Sequence, residues 1–203
     1  ASRRRPPGRA RCPVRAGRGV IRIPPSDPAV TGLPPVASVW VGSELGWLDR
    51  LGLHSFVHRG HEVTLYHTDA VAPAVPDGVR TAPARAVFDY DDTLLSDVTP
   101  AVFSDLFRLH LIRDTDCIWV DTDVFCYRPF RVDADGYLVG HEGGAWINGA
   151  VLRLPGSSPT LHALIEAFAD PSFVPEWLHA SSRRKVERAP ESRRFFRACE
   201  VMP

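Results

Sequence analysis

A strand pattern, a helix pattern and a second strand pattern follow one another early in the chain and set its fold class. Residues 36–41, VASVWV, form a short apolar run that ends at Gly42, which is typical of a buried strand. Leucine and phenylalanine then recur about once per helical turn, mostly every third residue, over residues 44–59, which predicts a helix ending at Gly60. Residues 61–66 alternate as a second strand. This succession predicts an α/β fold with a mostly parallel sheet.

The rest of the chain continues the alternation of strands and helices. Thr99 and Pro100 have the residue types preferred at the cap and the first position of a helix. The further predicted strands are 79–81, 117–120, 137–140 and 146–154, and the further predicted helices are 99–113, 158–168 and 175–200. We therefore predict a mixed, mostly parallel sheet flanked by helices, without internal repeats.

The first 35 residues differ in composition from the rest. They hold eight prolines, eight arginines and a single acid, Asp27, whereas the whole chain of 203 residues has a formal net charge of zero. Such a segment buries too little apolar surface to order itself, so we predict a disordered tail over 1–35 and one folded domain over 36–203. A nucleic-acid or membrane arm is the alternative for the tail.

Charge and hydropathy limit the binding partners and the cellular locations that we expect for this chain. A net charge of zero and a pI of about 7.3 do not indicate a nucleic-acid binder, so we expect no nucleic-acid partner. No apolar run approaches the roughly 18–20 residues that a bilayer span needs, and the basic start is not followed by the apolar stretch of a signal peptide. We expect a cytoplasmic protein, with peripheral membrane contact left open.

Two aspartates directly follow a strongly apolar strand pattern. Residues 118–120 are Ile-Trp-Val, and Asp121 and Asp123 come next with one threonine between them. In an extended segment these side chains point to the same side, where two carboxylates repel each other unless a cation lies nearby. Carboxylate oxygens suit Mg²⁺ or Mn²⁺, and ligands of α/β sheets bind where strands end. The pair indicates a metal site, with a solvated acidic turn as the alternative.

An acid and an arginine share one face of the helix that precedes this strand. Asp105 and Arg108 lie three positions apart, so their side chains are neighbours on the helix surface. They are either a surface ion pair, which contributes little, or a carboxylate for sugar hydroxyls beside a guanidinium for anionic oxygens. We interpret His141 and Glu142, which follow a predicted strand, as an edge-strand polar pair. A position close to the pocket of the acidic pair is the alternative for these two residues.

Four segments together resemble a family of glycosyltransferases. They are WVG at 40–42, FSDLFR at 103–108, IWVDTD at 118–123 and INGA at 147–150. The same motifs occur in this order in glycosyltransferases with the DXD sugar-binding region. That group is similar to the large clostridial glucosylating toxins, the α-1,4-galactosyltransferases and the yeast mannosyltransferases. The resemblance covers about residues 36–180.

The resemblance implies a GT-A fold, which is Rossmann-like, and a metal-dependent transfer of a sugar from a nucleotide donor. It implies a uridine diphosphate sugar as donor, Mn²⁺ or Mg²⁺ as cofactor, a glycan or lipid-linked acceptor, and retention of the anomeric configuration. Trp40 would stack on the nucleotide base, and Asn148 would line the sugar pocket. The alternatives are a core aromatic for Trp40 and a turn residue for Asn148.

The resemblance also implies roles for the four charged residues. Asp105 and Arg108 would hold the donor sugar, and Arg108 would also lie near the diphosphate. Asp121 would face the ribose and the metal, and Asp123 would ligate the metal directly. These four residues are therefore the expected catalytic set.

Enzymes that resemble this chain continue beyond its last residue. A Pro-Trp-Gly segment and then a Gly-Pro segment commonly follow, at the metal and phosphate end of the site. Residues 201–203, Val-Met-Pro, are similar to the beginning of that segment. We therefore expect a catalytic domain that is incomplete at its C-terminus, and a non-catalytic fragment that binds a nucleotide sugar is the alternative function.

A second motif points to another class of enzyme. Residues 89–93, DYDDT, resemble the DxDxT motif of haloacid-dehalogenase-type phosphatases, in which Asp89 would be the nucleophile and Asp91 the general acid and base. The strand before it would span only 86–88, and no acidic pair follows Lys185, the one lysine of the chain. We interpret 89–97 as an acidic exposed loop and keep the phosphatase as an alternative.

Overall fold

The structure, a computed structural model, describes residues 32–142, 146–170, 174, 180–181 and 183–184. Residues 1–31 of the predicted tail, and nearly all of the helix predicted over 175–200, lie outside these ranges. Within them, no helix is both long and apolar enough to cross a membrane.

The described residues form one six-stranded sheet. In chain order its strands are Val36–Trp40 (β1), Val63–His67 (β2), Val79–Pro83 (β3), Ile118–Val120 (β4), Leu138–Glu142 (β5) and Trp146–Arg153 (β6). Across the sheet the order is β3-β2-β1-β4-β6-β5. The first four strands in this order are parallel, and β6 and β5 are antiparallel to their neighbours. The predicted α/β fold with a mixed, mostly parallel sheet is confirmed.

Four α-helices and a short 3₁₀ turn lie between or after the strands of the described region. They are Trp47–His58 (α1), Asp92–Asp97 (α2), Pro100–Asp114 (α3), Pro159–Ala169 (α4) and the 3₁₀ turn Ala84–Ala86. Helix α3 begins as predicted, with Pro100 first and the Thr99 hydroxyl accepting a hydrogen bond from the N–H of Val102 at 3.3 Å. The loop expected over 89–97 is wrong in part. The side chain of Asp91 caps a helix there by accepting the N–H of Leu94 at 3.0 Å.

The helices cover the two faces of the sheet unequally. Ile118 and Val120 of β4 pack with Phe56 of α1 on one face. Trp119, between them, packs with Phe107 of α3 on the other face, where α4 also lies. Successive residues of a strand point to opposite faces, so a fully apolar β4 is buried on both sides. Strand β4 therefore lies in the middle of three layers, helix, sheet and helix. The residues that directly follow it, from Asp121 onward, are anchored by this buried strand.

A buried histidine links the start of β1 to the chain beyond β4. The Nδ1–H of His61 donates to the carbonyl of Pro34 at 2.9 Å, and its Nε2 accepts the N–H of Phe130 at 2.9 Å. The ring also meets Phe56 edge-on, with 5.8 Å between ring centres. Since a protonated ring cannot accept at Nε2, the fold requires the neutral form. Burial accordingly lowers the pKa of His61 below its usual value.

We expect the free energy of unfolding to fall as the pH drops below about 6.5, because the unfolded chain then takes up a proton on His61 that the folded chain does not. Urea unfolding at about pH 7.5 and about pH 5.5 measures the loss. His61→Gln should be less stable at both pH values but should lose less on acidification. His110, whose pKa burial also lowers, is common to both proteins, so only the difference between them reports on His61. Equal losses would contradict the prediction.

Candidate functional site

A cavity of about 540 Å³ opens where the parallel strands β1 and β4 end. Its walls come from the ends of β1, β4 and β5, the bent part of β6, and the first half of α3. Five of the six residues selected from the sequence line it, namely Trp40, Asp105, Arg108, Asp121 and Asn148. The sixth, Asp123, is exposed on the turn beside it and is not part of the lining.

Trp40 ends β1 and is both a cavity wall and a packing residue. Its half-buried ring packs against the core on the α1 face and also lines the cavity. Its Nε1–H is buried and has no hydrogen-bond acceptor among the described residues. A buried donor without an acceptor costs free energy in the fold.

Asp105 and Arg108 form a buried ion pair on α3. Their side chains are only 10% and 8% exposed, respectively. Arg108 also donates from Nη1 to the carbonyl of Gly149 at 2.7 Å, and its guanidinium lies 5.5 Å from the centre of the Trp119 ring. The surface ion pair considered from the sequence is therefore wrong, because β4 and β6 cover this face of α3. Arg108 joins the helix to the sheet at the base of the cavity.

The two aspartates after β4 lie on a turn. The N–H of Val124 donates to the carbonyl of Asp121 at 3.1 Å, which closes a four-residue turn directly after the strand. The extended arrangement expected for Asp121 and Asp123 is therefore wrong, because β4 ends at Val120 and the chain reverses at once. The turn leaves Asp121 half-buried in the cavity wall and Asp123 exposed beside it.

Asp121 occupies an unusual electrostatic environment. Its Oδ1 accepts the indole N–H of Trp119 at 2.9 Å. Burial raises the pKa of Asp121 above its usual value, and the nearby carboxylate of Asp123 adds to the rise. The positive charge of Arg108 and the hydrogen bond from Trp119 act in the opposite direction. A cation beside the two carboxylates would lower the free-energy cost of ionising Asp121.

A bulge in β6 builds the wall next to Asp121. Three residues of β6, 149–151, have no partner on β5 because the register shifts there. The carbonyl of Gly149 instead accepts from Arg108, and that of Ala150 accepts the backbone N–H of Asp121 at 2.8 Å. The INGA motif therefore bends β6 towards α3 and β4, and so brings together the elements that carry the site.

Asn148 lies at the start of this bulge and makes a hydrogen bond to Glu142, for which the sequence left two interpretations open. Its Oδ1 accepts the N–H of Ala150 at 2.7 Å, as a turn residue does, yet its side chain also lines the cavity. Its Nδ2 donates to Oε2 of Glu142 at 3.3 Å. Glu142 is on the edge strand β5, as predicted, and it also lines the cavity. Both interpretations therefore hold for Glu142, whereas His141 is on the edge strand but is not part of the cavity lining.

Helix α1 positions the aspartate turn through three residues spaced three apart, which sequence reasoning missed. The Thr122 hydroxyl donates to Oδ1 of Asp49 at 2.5 Å, and the N–H of Cys126 donates to Oγ of Ser55 at 2.8 Å. Between them, Gly52 lies so close that an added Cβ would be 2.1 Å from the carbonyl oxygen of Thr122. A glycine within a predicted helix, flanked at that spacing by small polar residues, was the available signal.

The residues of the phosphatase motif lie in a different setting from the one that motif needs. The chain before Asp89 is a 3₁₀ turn and irregular backbone, not a strand of the sheet. Asp91 caps α2, and its pKa is lowered by the hydrogen bond from Thr93, at 2.5 Å, and by the N–H of Leu94. A low pKa disfavours the protonated form that a general acid requires.

Neither a protein-family model, nor a curated protein, nor a solved structure matches this chain. The similarity of its motifs to those of DXD glycosyltransferases therefore stays a prediction. Any assignment of function depends on what the cavity can bind.

The carboxylates beside the cavity fit a cation only if a ligand completes the coordination. No group of three or more histidine, cysteine, aspartate or glutamate side chains in the described ranges could hold a metal ion. Asp121 and Asp123 supply carboxylate oxygens from two residues. Mg²⁺ is typically bound by one or two carboxylates together with substrate phosphates and water. The donor set therefore suits a cation that arrives with a phosphorylated ligand.

Proposed function

We propose that this chain is a GT-A-type glycosyltransferase domain that binds a uridine diphosphate sugar and transfers the sugar to a hydroxyl of a glycan or lipid-linked acceptor. The observation that carries the proposal is the convergence of Trp40, Asp105, Arg108, Asp121 and Asn148 on one cavity at the ends of parallel strands. These residues come from β1, α3, the turn after β4, and β6, which are far apart in the chain. The mixed sheet is compatible with a GT-A fold.

The dimensions of the cavity support an elongated ligand. Strands β1, β4, β6 and β5 are consecutive neighbours, so about 14 Å separates the first from the last at the usual strand spacing. Trp40 stands at one end of this row, Asp121 near its middle, and Asn148 and Glu142 at the other end. The volume of about 540 Å³ lies in the range of small-molecule sites. In a donor whose nucleotide base contacts Trp40, the sugar would therefore lie near Asn148.

The charges around the cavity favour a cation as part of the ligand. Arg108 is paired with Asp105, which leaves the carboxylates of Asp121, Asp123 and Glu142 in or beside the cavity. A diphosphate would be repelled by these groups unless a divalent cation lay between. In the proposal Asp121 and Asp123 hold Mn²⁺ or Mg²⁺, which when bound neutralises the charge of the departing diphosphate.

The remaining residues bind and orient the donor. The indole of Trp40 contacts the nucleotide base. The amide of Asn148 contacts hydroxyls of the sugar, and the Asp105–Arg108 pair forms the rigid base beneath it. Retention of the anomeric configuration and a glycan or lipid-linked acceptor belong to the proposal through the resemblance of the motifs.

We expect Asp123→Asn to weaken Mn²⁺-dependent binding of uridine diphosphate by at least about tenfold, because the exposed amide cannot replace a carboxylate ligand. Isothermal titration of the full chain measures the affinity with Mn²⁺ and with a chelator. Asp77→Asn, at an exposed position outside the cavity, is the matched control and should bind like the wild type. Unchanged binding by Asp123→Asn would remove the metal role, and a wild-type chain that does not bind uridine diphosphate would contradict the proposed function.

A turnover assay distinguishes a transferase from a domain that binds the nucleotide sugar without transferring it. Release of uridine diphosphate from its glucose, galactose and N-acetylglucosamine conjugates, with water or added glycans as acceptors, reports transfer. A chain that binds the diphosphate with Mn²⁺ but releases none from any conjugate would be the non-catalytic alternative.

A further inference from the structure

We infer that Glu142 is a specificity-determining residue that excludes negatively charged sugars, such as uronic acids, from the sugar end of the cavity. The inference rests on the proposed function and adds to it the charge of the sugar. It follows from the position of Glu142, from its hydrogen bonding, and from the charges of the other carboxylates in the wall.

Glu142 is the last residue of the edge strand β5, at the opposite end of the cavity from Trp40. Two strand spacings, about 10 Å, separate β5 from β4, after which the proposed metal ligand Asp121 lies. The side chain of Glu142 is held at the cavity by Asn148, whose Nδ2 donates to Oε2. A carboxylate is thereby placed next to the amide that is proposed to contact the sugar.

The other carboxylates that line the cavity have compensating partners. Asp105 is paired with Arg108, and Asp121 receives the indole N–H of Trp119 in addition to the field of Arg108. In the part of the chain that the structure describes, Glu142 has a hydrogen bond from the neutral amide of Asn148 and no ion pair. Its negative charge is therefore presented to whatever occupies that end of the cavity.

A carboxylate in this position distinguishes sugars by charge. It accepts hydrogen bonds from the hydroxyls of a neutral hexose, for which it has free lone pairs. It repels the carboxylate of a uronic acid, and a like charge placed against a competing ligand is an ordinary way to obtain specificity. The cation proposed at Asp121 and Asp123 would lie at the diphosphate, not at this end.

The test compares three ligands in the presence of Mn²⁺: uridine diphosphate, its glucose conjugate and its glucuronate conjugate. We expect the wild-type chain to bind the glucuronate conjugate at least about tenfold more weakly than the glucose conjugate. Glu142→Gln should bind the glucuronate conjugate at least about tenfold more tightly than the wild type, and its affinity for uridine diphosphate should change by a clearly smaller factor. Glutamine keeps an oxygen that accepts from Asn148, and the side chain is exposed, so the variant should fold.

Glu62→Gln is the matched control, because Glu62 is an exposed glutamate paired with Arg80 and is not part of the cavity wall. It should discriminate between the conjugates like the wild type. Equal wild-type affinities for the two conjugates, with uridine diphosphate bound, would overturn the inference and leave the proposed function intact. Discrimination that persists in Glu142→Gln would also overturn it. A chain that binds none of the three ligands would contradict the proposed function, and the inference with it.

Discussion

Arg108→Ala should lower the free energy of unfolding by about 3–5 kcal/mol, because it leaves the buried carboxylate of Asp105 without its partner. The substitution also removes the hydrogen bond to the carbonyl of Gly149, which ties α3 to β6. Both effects loosen the base of the cavity. Urea denaturation at neutral pH measures the change in the free energy of unfolding.

The same helix provides a matched control for this prediction. Arg113 pairs with Asp114 near the end of α3, but these side chains are 35% and 39% exposed. Arg113→Ala should therefore cost less than about 1 kcal/mol. The double variant Asp105→Asn with Arg108→Met should recover part of the loss, since no buried charge is left unpaired. If Arg108→Ala cost no more than Arg113→Ala, the Asp105–Arg108 pair would not be desolvated as the structure shows.

Gly52→Ala should reverse the usual effect of this substitution in a helix. In an exposed helix alanine is about 0.5–1 kcal/mol more favourable than glycine. Here the new methyl group would lie 2.1 Å from the carbonyl oxygen of Thr122 and 3.0 Å from that of Val124, and both atoms belong to the backbone of the aspartate turn. We expect a loss of about 1–3 kcal/mol or more, because the helix and the turn must move apart.

The displacement produced by Gly52→Ala should also weaken Mn²⁺-dependent binding of uridine diphosphate, although Gly52 does not line the cavity. Thr122→Val keeps the size of a side chain that lines the cavity but removes its hydrogen bond to Asp49, and it should give a smaller effect in the same direction. Leu51→Ala, on the exposed side of α1, should leave binding unchanged. A gain of stability in Gly52→Ala, or unaltered binding in a folded sample, would show that α1 does not position the turn.

Local patterns were sufficient for much of the fold. The apolar runs around Val36 and Ile118, and the cap and first residue of α3 at Thr99 and Pro100, predicted elements that the structure contains. These signals depend on residues that are close in sequence, because burial on both faces of a strand and capping of a helix end are both local requirements. Helix α2 lies where a loop was predicted, because Asp91 caps the helix, while the four acids of 89–97 are equally typical of an exposed loop.

The sequence by itself determined the fold class, because the periodicities of strands and helices are local. Of the five predicted residues that meet at one cavity, Asp105, Arg108 and Asp121 were indicated by their spacing, and Trp40 and Asn148 by the resemblance of the motifs. Only the tertiary structure decided that the Asp105–Arg108 pair is buried, since this depends on the bulge of β6 that covers it. It also decided that Asp121 and Asp123 lie on a turn packed against Gly52. Such contacts join residues distant in the chain, and their free energy comes from packing and desolvation that no local pattern records.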